Sequence, residues 1–248
     1  MKTIKKLICI FLLLVIGVFL YSFNLGKNLP IIKEANLKDV KNIEMNINDA
    51  AFEGNDEGTV TVNKVYDSSL DTYEKLYHKS NLIAYITLQD RVQEKNTICS
   101  KVKVTKIIKG DKELLDHDIY IYEPFGYKNK ETVNLYGVYL PIRKDQVYMV
   151  FLKEEKNQKY NFVSSLYGKY NLEEDDYFTL NGNQITTENM ISNDMIDFKI
   201  NEIEKNSILD NLKSSDYEEL QNNNISKGLD RLIELKDKRE EIRKSISK

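Results

Sequence analysis

The feature that most constrains this chain is an uncharged run of 17 residues near its N-terminus, Leu7–Phe23. Three lysines precede the run: Lys2, Lys5 and Lys6. As a helix with a rise of ~1.5 Å per residue, the run would be roughly 25 Å long, the lower end of what crosses a bilayer. The N-terminal segment is therefore predicted to be a signal-anchor or a cleaved signal peptide.

The residues that end the run favour the signal-anchor. A cleaved signal ends in an A-x-A-like pattern, but neither Ser22 nor Gly26 has a small residue two positions before it. A lipoprotein would carry its cysteine at the end of the run, whereas Cys9 lies near the start. We therefore expect a single-pass cell-membrane protein, with residues 1–6 as a cytoplasmic tail, residues 7–23 as the transmembrane helix and the bulk of the chain extracellular.

The two cysteines would be separated by this topology. Cys9 would lie in lipid and Cys99 outside, so no intramolecular disulfide is expected. Cys99 lies in the strand-like run TICSKVKV and is predicted to be a buried small hydrophobic residue rather than a reactive thiol.

The exterior part of the chain is acidic. Without the three N-terminal lysines, 33 of the 36 basic residues remain against 39 acidic ones, which gives a net charge of −6. This balance argues against nucleic acid as a partner, because phosphate binding needs a basic surface. With two histidines and two cysteines in the whole chain, no metal centre and no cofactor are expected.

Apolar alternation and turn residues divide the exterior part into three regions. Residues 24–42 are predicted to be a tether, residues 43–188 a β-rich barrel-like domain and residues 189–248 a helical region. A short helix is expected from Ser68, with Asp71 completing an acidic variant of the capping box. The predicted strands are 43–47, 59–62, 82–88, 98–108, 118–124, 146–152 and 159–168, followed by a hairpin around 181–183.

The C-terminal region ends in a charged helix, predicted over residues 225–246. Its apolar residues fit heptad positions, which Gly228 and Arg239 interrupt. Two interpretations follow: a coiled coil that makes an oligomer, or a helix that lies against its own domain, and the second is favoured. The heptad residues are Ile225, Leu232, Leu235, Ile242 and Ile246.

The stretch from Tyr73 to Tyr170 resembles the netrin-like module, the OB-type barrel also found in tissue inhibitors of metalloproteinases. The resemblance lies in the ordered segments SNLIAYITL, SKVKVTKIIKG, IYIYEP, KDQVYMVFL and YGKY. It also extends to membrane-anchored or lipid-anchored exterior proteins of Gram-positive bacteria. It implies a mostly β fold, a small barrel with a short packed helix, between the transmembrane helix and C-terminal helices. Inhibitory activity does not carry over, because the inhibitors use an N-terminal cysteine and several disulfides that this chain lacks.

His117 is the candidate for catalysis, because Asp116 and Asp118 flank it and a carboxylate can orient a histidine base. Adjacent strand residues point to opposite faces, however, so both aspartates cannot reach the ring, and an exposed turn histidine is favoured. His78 offers no better constellation. The run Glu173–Asp176 could attract a cation or a basic partner, but four adjacent carboxylates more often mark a loop.

Tyrosine gives the remaining signal, because ten of the 16 tyrosines lie between residues 120 and 177. OB-type barrels bind oligomers on one face, often with aromatic side chains, although tyrosine is also simply a good strand residue. The possible binding face consists of Tyr120, Tyr122, Tyr136, Tyr139 and Tyr148.

The chain is therefore expected to be an exterior, non-catalytic module that binds another envelope protein or a wall component. Two alternatives stay open: a cell-envelope hydrolase that uses His117 with a nearby carboxylate, and a structural oligomer formed through the C-terminal helix.

Overall fold

The computed structural model describes residues 37–46, 69–94, 97–129, 131–156, 158–179, 185–197 and 235–246. Within these residues, no helix combines the length and the apolar character needed to cross a membrane. The predicted span 7–23, the predicted strand 59–62 and the predicted hairpin tip 181–183 lie outside the described residues.

The protein is mostly β, as expected. The central parts of the predicted strands at 82–88, 98–108, 118–124 and 146–152 are confirmed as strands. In chain order, the strands are β1 (Asn42–Asn46), β2 (Leu82–Glu94), β3 (Thr97–Lys109), β4 (Asp118–Glu123), β5 (Phe125–Asn129), β6 (Thr132–Tyr136), β7 (Val147–Lys156), β8 (Lys159–Phe162), β9 (Lys169–Asn171), β10 (Tyr177–Thr179) and β11 (Met195–Asp197).

Five of these strands close into a ring in the order β2-β3-β4-β8-β7, with β7 pairing back onto β2. The β4–β8 pair is parallel and the other four pairs of the ring are antiparallel. A closed ring leaves no open edge among these strands and surrounds an apolar core. The short strand β9 adds to β7 outside the ring order.

Strand β4 shows how the sequence places the ring. Its residues alternate between half-buried and buried, so that Ile119, Ile121 and Glu123 point inward and Tyr120 and Tyr122 point outward. The inward side chains pack in one core cluster with those of β2, β3 and β7. The alternation therefore fixes which tyrosines are available to solvent.

Two smaller sheets lie beside the ring. In the first, β1 pairs in parallel with β6, and β6 pairs in antiparallel fashion with β5. In the second, β10 and β11 form a parallel pair.

The first helix, α1 (Tyr73–Lys79), begins later than predicted. Thr72 is its N-cap, and the Thr72 hydroxyl accepts a hydrogen bond of 3.2 Å from the Lys75 amide. Asp71 instead pairs with the Lys75 ammonium at 2.7 Å. Leu76 is fully buried and anchors the helix to the core.

The region after residue 180 departs from the prediction. Residues 185 and 186 are not a strand; Thr186 caps helix α2 (Thr187–Ser192) by accepting from the Asn189 amide at 3.2 Å. The partner of β10 is β11, which lies inside the region predicted to be helical. Leu37 and Val40, which lie in the predicted tether, are buried.

Residues 235–246 are helical and are called the C-terminal helix below. Leu235, Arg239 and Ile242 are buried, at spacings of four and three residues that place them on one face. This face packs on the body of the protein, as the favoured interpretation of the heptad pattern expects. The coiled-coil alternative would need Leu235 and Ile242, which are already buried here.

Candidate functional site

The five tyrosines predicted as a binding face do not share one surface. Tyr139 and Tyr148 are fully buried, so they belong to the core. Tyr136 is half-buried on β6, in a different sheet from Tyr120 and Tyr122. Only the two tyrosines of β4 remain together on an accessible part of the ring.

Tyr120 lies at the centre of a row that crosses three strands of the ring. Its partner on β3 is Lys101, and its partner on β8 is Lys159. Directly paired residues on neighbouring strands project from the same face, so these three side chains lie on one face. The Lys159 ammonium lies over the neighbouring Tyr122, 5.4 Å from the centre of its ring. The outer face is defined here as Lys101, Lys103, Asp118, Tyr120, Tyr122 and Lys159.

Tyr122 belongs to a compact polar cluster on this face. Its hydroxyl donates to Glu94 at 3.0 Å, and the Lys159 ammonium donates to the Tyr122 hydroxyl at 3.0 Å and to Glu94 at 2.7 Å. Hydrogen bonds to Glu94 and to Tyr122 raise the pKa of Lys159, so this lysine stays charged. Cys99 pairs with Tyr122 across the β3–β4 ladder.

Cys99 is buried, as predicted from its sequence context. Burial, reinforced by the Glu94 carboxylate, raises the pKa of the thiol to about 11. The thiolate is the nucleophilic form, so this cysteine is unreactive near neutral pH.

Inside the ring, the Glu123 carboxylate is completely enclosed by donors. It accepts from the Tyr139 hydroxyl at 2.7 Å, from the Ile142 amide at 2.8 Å and from Arg91 Nε at 3.2 Å. The Ser100 hydroxyl also donates to it. Four donors, one of them the charged Arg91, stabilise a carboxylate that would otherwise be costly to bury.

A second buried carboxylate, Asp194, ties the segment before β11 to the ring. It accepts from the Tyr148 hydroxyl at 2.5 Å, from Arg143 Nη2 at 2.9 Å and from the Asn171 amide group at 3.2 Å. The Asp176 backbone amide donates to it at 3.0 Å. Burial and the adjacent carboxylate raise the pKa of Tyr148, so its hydroxyl remains a donor.

Lys169 lies between these two networks and is 1% exposed. Its ammonium donates to the Leu140 carbonyl at 2.6 Å and lies 4.3 Å from the centre of the Tyr139 ring and 5.2 Å from that of Tyr148. Burial lowers the pKa of Lys169 to about 8, and the nearby Asp194 and Glu123 carboxylates limit the decrease. The buried ammonium is therefore held by a carbonyl and two aromatic rings rather than by a direct ion pair.

The C-terminal helix is fastened through Arg239, which is 1% exposed. Arg239 Nη2 donates to the Lys169 carbonyl at 2.6 Å and to Asp175 at 2.8 Å, and Arg239 Nη1 donates to the Leu166 carbonyl. The guanidinium stacks 4.5 Å from the centre of the Tyr170 ring. Arg239, one of the two residues that interrupt the heptad pattern, is thus the anchor of the helix.

The four residues of the acidic run Glu173–Asp176 have two kinds of surroundings. Glu173 and Glu174 are exposed, as in the predicted loop, whereas Asp175 is buried against Arg239 and Asp176 pairs with Arg143 at 2.7 Å. Burial alone would raise the pKa of Asp175, but Arg239 and Arg243 hold it below its ordinary value.

His117 lies on the surface, and the two aspartates that flank it form ion pairs with lysines. Asp116 pairs with Lys103 at 3.4 Å and Asp118 with Lys101 at 2.9 Å. His78 is also exposed, with Glu74 at 3.8 Å. No group of three or more metal-ligating side chains occurs within the part of the chain that the structure describes.

No protein-family model matches the sequence, and no curated protein or solved structure is detectably similar to the chain. The fold and the contacts above are therefore the basis for assigning a function.

Three of the buried charges were missed from the sequence alone. Glu123 occupies an inward position of IYIYE, where alternation alone would place an apolar side chain. Lys169 follows a glycine in YGKY, and Asp194 is in a segment that was expected to be helical. Of the three, only Glu123 breaks an apolar alternation, which is a signal that the sequence carries.

Proposed function

We propose that this chain is a non-catalytic binding module built on an OB-type barrel of the netrin-like kind. The order of the five-stranded ring, with its single parallel pair between β4 and β8, supports this proposal. OB-type barrels bind extended ligands on the face of their central strands, which correspond here to β3 and β4.

The ligand-binding surface is the outer face, and the observation that carries this assignment is the row Lys101–Tyr120–Lys159. An aromatic side chain whose paired residues on both neighbouring strands are lysines provides a stacking surface with hydrogen-bond donors nearby. The ligand is a component of the cell envelope, either another protein or a wall component.

The buried charged groups support a non-catalytic role. Glu123 and Asp194 are each enclosed by several internal donors, and both are fully buried. Their contacts are those of groups that hold strands and segments together. A catalytic acid or base must instead reach a substrate.

The sequence supports a single-pass location, with the N-terminus inside the cell and the barrel outside. An exterior protease applied to intact protoplasts would then remove the chain after about residue 30 and leave a small membrane-bound stub. A chain that resists protease until the membrane is lysed would reverse the orientation. A mature chain that begins at residues 23–27 would identify a cleaved signal peptide.

The binding role is tested by cross-linking on intact cells followed by purification of the tagged full-length chain. We expect the wild-type chain to recover a specific envelope component and Tyr120→Ala to lose it. Tyr136→Ala is the matched control, because Tyr136 is a half-buried strand tyrosine away from the outer face. Recovery of the same component by all three chains, or of abundant envelope proteins alone, would contradict the proposal.

A further inference from the structure

A second group of tyrosines lies where helix α1 packs beside β2. The ring of Tyr73 meets the buried ring of Phe151 edge to face at 5.9 Å, and Tyr77 lies 6.0 Å from Tyr73 on the same helix. Burial raises the pKa of Tyr73, and the neighbouring Tyr77 and Tyr85 add to this increase, so the three rings lie close together. All three tyrosines are half-buried, and they pack against the core while part of each side chain faces solvent.

Two lysines of β3 cover these rings. Lys109 Nζ lies 4.7 Å from the centre of the Tyr77 ring and donates to the Tyr77 carbonyl at 2.6 Å. Lys106 is the partner of Tyr85 across the β2–β3 ladder, and its Nζ lies 4.9 Å from the centre of the Tyr85 ring. The tyrosine–lysine patch is defined here as Tyr73, Tyr77, Tyr85, Lys106 and Lys109.

The lysines of the patch differ from the other lysines of the same strand. Lys101 and Lys103 form ion pairs with nearby aspartates, at 2.9 and 3.4 Å. Among the described residues, neither Lys106 nor Lys109 forms an ion pair with a carboxylate, and each lies over an aromatic ring instead. The patch therefore combines two positive charges with apolar ring surface, which is complementary to an anionic surface that has an apolar interior.

A lipid bilayer is within reach of this part of the chain. The predicted transmembrane helix ends at residue 23 and the first described residue is Leu37, so 13 residues, 24–36, connect them. Thirteen residues span at most about 45 Å when they are fully extended. The connection therefore keeps the local concentration of lipid high, and a weak interaction is enough to hold the domain on the membrane.

We infer that the tyrosine–lysine patch binds the membrane surface, with Tyr77 and Tyr85 at the level of the lipid headgroups and the two lysines on anionic lipids. Tyrosine is enriched at this depth because its ring is apolar and its hydroxyl is polar. Each lysine near an anionic bilayer strengthens binding about fivefold. This membrane contact rests on the proposed single-pass location and does not depend on ligand binding by the outer face.

The test uses the absence of tryptophan from the chain. Tyr77→Trp places one tryptophan in the patch of the full-length protein, and Tyr85→Trp provides an independent second position. Tyr136→Trp is the matched control, because Tyr136 is also half-buried but lies on β6, outside the patch. Each chain is reconstituted into vesicles of phosphatidylcholine with about one third phosphatidylglycerol, whose acyl chains are either natural or brominated. Bromine quenches tryptophan on contact, so the loss of emission measures contact with lipid.

We expect brominated lipid to remove most of the emission from positions 77 and 85 and to leave the emission from position 136 unchanged. Adding Lys106→Gln and Lys109→Gln to the Tyr77→Trp chain should weaken the contact about thirtyfold and restore the emission. Raising the salt from about 0.05 M to about 0.5 M should have the same effect.

Lys41→Gln with Lys128→Gln is the control for the charge change. These substitutions remove two exposed lysines that are paired with Glu131 and Glu44, beside the three-stranded sheet, and should leave the quenching unchanged. A loss of quenching as large as that caused by the two patch substitutions would overturn the assignment of lipid binding to Lys106 and Lys109.

Emission that brominated lipid leaves unchanged at both patch positions would overturn the inference, as would equal quenching at position 136. Equal quenching in vesicles of pure phosphatidylcholine would contradict the recognition of anionic lipid. If inorganic polyphosphate changes the emission at position 77 and lipid does not, the patch binds a soluble polyanion and the membrane contact is wrong. Cross-linking through Tyr120 and digestion of protoplasts are independent of these measurements, so the proposed function can fail or stand separately.

Discussion

Replacing Lys169 by methionine tests whether the core contains a charge that opposes folding. Methionine keeps the approximate length of the side chain and removes the ammonium. The pKa of Lys169 is lowered from 10.5 to about 8, and each unit corresponds to about 1.36 kcal/mol, so burial of the charged form costs about 3 kcal/mol. Losing the hydrogen bond to the Leu140 carbonyl offsets ~1 kcal/mol of the stability gained by removing the charge. Lys169→Met should therefore stabilise the fold at pH 7 by about 2 kcal/mol.

The lowered pKa of Lys169 also makes the stability of the fold depend on pH. Because the pKa of Lys169 is lower in the folded state, the unfolded chain binds more protons between about pH 8 and 10.5, and stability rises with pH there. The expected increase from pH 7 to pH 9 is about 1 kcal/mol for the wild type, and this contribution is absent in Lys169→Met. The raised pKa values of Tyr139 and Tyr148 act oppositely above about pH 10, where unfolded tyrosines ionise.

The assay is urea unfolding at pH 7, 8 and 9, followed by tyrosine fluorescence because the chain has no tryptophan. Lys153→Met, at an exposed position of β7, is the matched control and should change stability by less than about 0.5 kcal/mol at every pH. A Lys169→Met chain that is less stable than the wild type at pH 7, or that keeps the same pH slope, would refute the reasoning.

Three further outcomes follow from the buried contacts. Glu123→Gln should destabilise the fold by about 3 kcal/mol in urea unfolding, because it leaves Arg91 without its charge partner. The exposed Glu173→Gln should leave stability unchanged. Equal effects of the two substitutions would contradict the enclosed position of the Glu123 carboxylate. Arg239→Ala should cost about 3–5 kcal/mol and expose the C-terminal helix to proteolysis, and a helix that remains protected would show that Arg239 is not its anchor. In a Cys9→Ser background, Cys99 should resist iodoacetamide at pH 8 until the chain is unfolded, and rapid labelling of the folded chain would disprove its burial.

The ring strands could be predicted because their sequences carry the signal locally. In β4, the alternation of isoleucine and tyrosine specifies both the strand and its inward face. The run from Val147 to Leu152 is apolar throughout, which fits its pairing with strands on both sides. Turn residues such as Gly110, with a φ of +112°, mark the end of β3.

The contacts that organise the core depend on residues far apart in sequence. Asp194 joins Tyr148 across 46 residues, and Arg239 joins Asp175 across 64. No local pattern encodes such pairs, so the sequence alone predicts Tyr148 on a surface and shows Arg239 only as an interruption of the heptad pattern. The pairing of β10 with β11 was missed for the same reason, because the adjacent sequence favoured a hairpin.

The central claim is that the chain acts through the outer face of its barrel. Its most direct test is a photo-cross-linking benzoylphenylalanine placed at residue 120 of the full-length chain and activated on intact cells. A second chain carries the same group at residue 172, where Leu172 is 37% exposed and lies outside the outer face.

We predict a discrete adduct with an envelope component from position 120 and none of that mass from position 172. The adduct should decrease when excess untreated chain is added and persist when excess Tyr120→Ala chain is added instead. The absence of an adduct at position 120, or the same adducts from both positions, would contradict the claim that this face binds the ligand.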